Sequence, residues 1–77
     1  MITPKQVRAA RLMLDWNAPD LARAARLNVN TVSRFETGGG VRPYNAEAIQ
    51  RTLEQAGIRF LNTDEGEGIM LLRHKPS

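Results

Sequence analysis

Three times between Ile2 and Val32 the chain repeats one arrangement: a polar residue able to cap a helix, an apolar residue just before it and another four positions after it. The sets are Ile2–Thr3–Val7, Trp16–Asn17–Leu21 and Leu27–Asn28–Val32. Each is a hydrophobic staple, which fixes the angle at which the chain enters a helix, while the cap accepts a hydrogen bond from a first-turn N–H that has no helical partner. A chain with three such starts in close succession is committed to short helices at defined mutual angles. That constrains the fold more tightly than periodicity alone.

Local signals complete each helix. Thr3-Pro4-Lys5-Gln6 reads as a capping box with proline where its missing N–H costs nothing, and Val7, Ala10 and Leu14 give the first helix an apolar face, with Asp15 and Trp16 at its end. The second helix follows Asn17 as cap, tolerates Pro19 in its first turn, and places Asp20 where a carboxylate suits the helix dipole. The third runs from Val29 to Glu36 or Thr37, with Gly38 as its stop. Gly38-Gly39-Gly40 and Pro43 mark a loop. A fourth helix is expected from about Tyr44 to Ala56, with Ile49, Leu53 and Ala56 inward and Gly57 as stop.

Beyond Gly57 the period changes. Ile58–Leu61 and Ile69–Arg73 are short apolar runs flanking a polar stretch, Asn62 to Gly68, which reads as a β-hairpin with a loose turn. The expected architecture is therefore mainly α: a four-helix unit over residues 1–57, a short C-terminal β-hairpin over 58–73, and a frayed tail over 74–77.

Composition narrows the function classes. Seventy-seven residues make one small domain, and 42% hydrophobic with 25% charged residues is ordinary for a soluble globule. The absence of cysteine excludes disulfides, thiolate metal sites and cysteine nucleophiles. No apolar run reaches the length of a membrane span, and the amino end lacks a signal-peptide core. The net charge of +3 is unevenly placed: up to Leu61 nine basic residues face five acidic ones, whereas the remainder is slightly acidic. A positive excess on the helical part is what a phosphate-binding surface requires.

Asp20–Glu36, DLARAARLNVNTVSRFE, reads as two short helices joined by a tight turn, the second carrying small polar and basic residues. Two helices so joined let one brace a phosphate backbone while the other enters the major groove. Leu21–Ala25 (LARAA), Asn28–Glu36 (NVNTVSRFE), Gly38 and the later AIQRTLEQAG at 48–57 make the chain resemble a helix-turn-helix regulator of the phage repressor and Cro type, the XRE family. The likeness covers about residues 3–57. It implies a four-helix Cro/repressor-like domain and a double-stranded DNA partner, with a reading helix at about 29–37.

The resemblance implies a role for each matching residue. Leu21, Ala22, Ala25, Val32 and Phe35 are expected inside, Ala22 small because the third helix crosses there. Arg11 and Glu36 match a structural ion pair between helices one and three. Val29, Asn30, Ser33 and Arg34 match base-contacting positions: asparagine can pair with adenine, arginine with guanine, and valine can meet a thymine methyl. Asn28, Thr31, Arg42 and Arg26 are expected at phosphates, Asn28 also serving as helix cap. Two positions depart from the family pattern. Ala18 stands where a phosphate-binding glutamine is common. Arg26 replaces the glycine of the turn: either the turn is slightly altered and spares arginine a positive φ, which is the expectation, or the cost of a positive φ is accepted because Arg26 reaches a phosphate.

The resemblance also implies a bacterial or phage cytoplasmic setting and no cofactor. A homodimer on an inverted repeat is expected, since one reading helix covers few base pairs and two supply useful specificity, with the hairpin at 58–73 either packed on the helices or serving as a dimerisation element that pairs with its twin across the dimer axis. No enzymatic role is expected: His74 lacks a carboxylate neighbour in sequence, the glycine triplet follows a helix rather than a strand, and Asp64, Glu65 and Glu67 do not have the spacing of a calcium loop. The alternative is an antitoxin-type protein whose C-terminal segment binds a partner protein, with DNA binding for autoregulation. The apolar run Ile69–Leu72, which needs covering, motivates it.

Overall fold

The computed structural model describes residues 2–74; the rest of the expected tail, 75–77, lies outside the described residues. Four helices, α1 (Pro4–Met13), α2 (Ala18–Ala25), α3 (Val29–Glu36) and α4 (Pro43–Gln55), precede an antiparallel hairpin of β1 (Ile58–Thr63) and β2 (Gly66–Leu71). The caps form as the sequence implies. Gln6 N–H donates to Thr3 Oγ1 at 3.2 Å while Thr3 N–H donates to Gln6 Oε1 at 3.1 Å. Asn17 and Asp20 make the same reciprocal pair, at 2.7 and 2.9 Å, so Asp20 does more than oppose a dipole. Asn28 Oδ1 accepts from Asn30 N–H at 2.8 Å.

Helix ends follow a single rule. Asp15, Arg26 and Gly38 all have positive φ, at 56°, 58° and 88°. After α1, Asp15 N–H donates to Leu12 O and Trp16 N–H to Arg11 O; after α2, Arg26 donates to Arg23 O and Leu27 to Ala22 O; after α3, Gly38 donates to Phe35 O and Gly39 to Arg34 O. These are Schellman closures, which satisfy the last helical carbonyls through one left-handed residue. Trp16 and Leu27 therefore act twice, closing one helix and stapling the next. Left-handed residue, apolar residue and Asn cap recur as Asp15-Trp16-Asn17 and Arg26-Leu27-Asn28, so the α1–α2 and α2–α3 connections share one construction.

The stapled residues meet at the centre. Ile2, Val7, Ala10, Leu21, Ala22, Val32, Ile49, Leu53 and Ile58 form the buried core, with Leu14, Trp16, Leu27, Phe35, Phe60 and Ile69 packed against it. Of the inward residues expected from the sequence, Ala25, Phe35 and Ala56 are half-buried rather than buried. Ile58 lies in the same core as the helices, so the hairpin is an integral layer and not an appendage.

Three boundaries differ from the sequence reading, the first being that β2 ends at Leu71 rather than at Arg73. Helix α4 begins one residue early because Pro43 occupies the first turn, with Arg42 at the cap position making no side-chain cap bond. The hairpin turn is tight, not loose: Thr63 pairs with Gly66, leaving only Asp64 and Glu65 in the loop. Thr63 Oγ1 accepts from Glu65 N–H at 3.2 Å, which holds those polar residues in a turn that their composition alone does not reveal. The buried Gln6 then joins layers. Its Nε2 donates to Gly68 O at 2.8 Å, Leu61 O at 3.2 Å and Asn62 Oδ1 at 3.3 Å, fastening α1 to both strands.

Candidate nucleic-acid interface

Helix α3 presents two unlike faces. Val32 and Glu36 are buried, whereas Val29, Asn30, Ser33 and Arg34 are exposed; Val29, at 37% exposure, is the apolar member of that outward set. Thr31 is half-buried beside them. All four residues expected at base edges thus share the solvent side of one short helix. At 1.5 Å per residue an eight-residue helix is about 12 Å long, close to the width of a B-form major groove.

The helix is held from behind at its far end. Arg11 Nε donates to Glu36 Oε2 at 2.7 Å and Arg11 Nη2 to Glu36 Oε1 at 2.9 Å, the side-by-side ion pair expected between these residues. Arg11 Nη1 also donates to Trp16 O at 3.0 Å, so one guanidinium ties α3 to the α1–α2 connection. The hydrogen bond that Arg11 donates to Glu36, aided by the negative charge of the carboxylate, raises the Arg11 pKa against the opposing effect of burial. Arg8 donates to the Glu36 carbonyl oxygen from the next turn of α1. Sequence reasoning missed this contact, since nothing local marks an exposed arginine as a partner for a distant backbone carbonyl.

Arg34 has a further support. A Cβ placed on Gly39 would stand 2.6 Å from Arg34 Cγ and 3.0 Å from Arg34 O, so the arginine stem runs over a position kept clear by glycine. Thr37 Oγ1 donates back to Ser33 O at 3.0 Å, beside the backbone bond from Thr37 N–H to the same oxygen, just before the closure at Gly38.

The residues expected at phosphates are dispersed. Asn28 is exposed but its Oδ1 is engaged as the α3 cap. Arg42 is exposed at the start of α4. Arg26 is exposed and sits at φ 58°, ψ 44°, so the expected altered turn is incorrect: the backbone takes the glycine-like conformation with arginine in it. That costs about 1 kcal/mol or more relative to glycine. Ala18, the departure at the start of α2, is half-buried against the core.

Among the described residues no group of three or more His, Cys, Asp or Glu side chains is placed to hold a metal ion, and no helix is long and apolar enough to cross a membrane. Neither a comparison with protein-family models nor a search of curated proteins finds a match for the chain.

Proposed function

We propose that this chain is a sequence-specific double-stranded DNA-binding regulator of the phage repressor and Cro type, acting as a homodimer on an inverted repeat with α3 in the major groove. The observation that carries the reading is the outward set Val29, Asn30, Ser33 and Arg34 on a helix fixed from behind by buried Val32 and the Arg11–Glu36 pair. Asn30 and Arg34 supply bidentate hydrogen bonding to adenine and guanine, Val29 a methyl contact, and Ser33 a small polar contact. Asn28, Thr31, Arg26 and Arg42 place the domain by phosphate contacts, which set register without carrying sequence information.

Two copies are compatible with the dimensions of the domain. The protomer measures 29 × 28 × 20 Å, so two side by side space their reading helices on the scale of one DNA turn, about 34 Å. Selection of bound duplexes from a random pool at a stated salt concentration tests the reading. Recovery of an inverted repeat supports it, and recovery of the input composition defeats it.

A second reading rests on the hairpin, where Leu61 and Met70 are 47% and 46% exposed. An antitoxin-type protein would cover them with a partner protein. Copurification of a second protein in constant proportion separates this reading from the first.

A further inference from the structure

Two arginines of α1 hold the last residue of α3, and they hold different parts of it. The final carbonyl groups of any helix have no helical partner. In α3 the segment that follows meets most of them: Thr37 N–H donates to Ser33 O, Gly38 N–H to Phe35 O and Gly39 N–H to Arg34 O. Glu36 O, the last, accepts from Arg8 Nη1 instead. A cation there also opposes the negative pole of the helix. Arg11, one turn along α1, grips the Glu36 carboxylate. A carboxylate turns about its own side-chain bonds, so that grip leaves the main chain at Glu36 some freedom. Arg8 removes it by holding the peptide between Glu36 and Thr37. This peptide leads directly into the closure at Gly38 and Gly39, and Arg8, Glu36, Thr37 and Gly38 line one groove. The Arg34 stem runs over Gly39.

We propose that Arg8 is a positioning residue for base selectivity: by fixing the Glu36–Thr37 peptide it sets the glycine turn over which Arg34 lies, and so aims the Arg34 guanidinium at one base pair. The proposal rests on the reading of α3 as a base-recognition helix, and adds a residue of another helix that sharpens what α3 selects. Arg8 is exposed, so a direct phosphate contact is the competing role, and the two act differently. A phosphate contact weakens binding to every duplex alike and lowers the salt slope by about 1 when removed. Loss of aim instead relaxes the preference at the single base pair that Arg34 reads and leaves the slope as it was.

The test titrates the parent, Arg8→Ala and Arg8→Lys against the selected duplex and against duplexes changed one base pair at a time, over a range of salt. In Arg8→Ala the preference at the base pair that Arg34→Ala also relaxes is expected to fall by about five- to tenfold, part of what one bidentate contact discriminates. Preferences at other positions and the salt slope should hold. Arg8→Lys keeps a cationic donor and should recover most of the loss. In an Arg34→Ala background, Arg8→Ala should relax no position further. Without DNA, amide exchange at Gly39, whose N–H meets Arg34 O, should be faster in Arg8→Ala than in the parent. Equal loss at every base pair, a salt slope lower by about 1, or an unchanged Gly39 exchange rate overturns the proposal. If the parent discriminates and Arg8→Ala discriminates equally well, this proposal alone fails; a parent that prefers no duplex defeats the functional reading beneath it.

Discussion

Arg11 and Glu36 meet through two parallel hydrogen bonds of 2.7 and 2.9 Å, with side chains only 16% and 7% exposed. The pair joins the first helix to the last residue of the third, so the pose of α3 depends on a contact outside its own exposed face. Arg11→Ala leaves the Glu36 carboxylate without its partner and is expected to lower unfolding stability by about 3–5 kcal/mol in a denaturant titration. Replacing both, Arg11→Met with Glu36→Leu, is expected to cost far less. Because the folded-state pKa of Arg11 is raised, the contribution of its charge is fully present below the ordinary arginine value and is lost only as pH climbs through the higher folded one. Raising pH from neutral to mildly alkaline should therefore leave this contribution unchanged.

Gly39→Ala tests how Arg34 is aimed. The added methyl meets the arginine stem and must displace it. Site affinity is expected to fall by up to the roughly 1–3 kcal/mol assigned to one base contact, and the melting temperature to fall as well, because the methyl also stands 3.0 Å from the Arg34 carbonyl oxygen. In an Arg34→Ala background the same change should lower affinity no further, which a double-mutant cycle reads directly.

Arg26→Gly separates stability from binding. Relief of the left-handed arginine is expected to raise stability by roughly 1 kcal/mol, visible as a melting temperature higher by about 4–8 °C for a domain of this size. If Arg26 rests on a phosphate, the slope of log affinity against log salt falls by about 1.

Gln6 is a donor placed among acceptors. Gln6→Leu is expected to cost about 1–3 kcal/mol in a thermal melt by cutting the bonds that fasten α1 to the hairpin. Gln6→Glu, which brings an acceptor toward Leu61 O and Gly68 O, should cost more.

The legibility of these features in the sequence follows their range. Thr3, Asn17 and Asn28 cap helices through neighbours two or three residues away, so starts and staples were readable. The helix ends at Gly38 and Gly57 were readable because glycine advertises a positive φ; Asp15 was placed at the end of α1, but neither it nor Arg26 carries a sign of the positive φ it adopts. Gln6 was recognised for its local capping bond, but its contacts with Leu61, Asn62 and Gly68 lie more than fifty residues away and leave no local trace. The hairpin turn was misjudged because the expectation weighed composition over Asn62–Gly68, whereas strand pairing extends to Thr63 and Gly66. It was the family resemblance that placed Val29, Asn30, Ser33 and Arg34 on one outward side of the third helix, and all four are exposed. The Arg8 and Gly39 supports required coordinates.

Parallel titrations of the parent, Asn30→Ala and Arg34→Ala against the selected duplex and a scrambled one, at one salt concentration, test the central claim most directly. Each variant is expected to lose roughly 1–3 kcal/mol on the selected duplex, with an unchanged melt. On the scrambled duplex Asn30→Ala should match the parent. Parent and variants binding both duplexes with equal affinity would contradict the assignment of this helix face to base recognition.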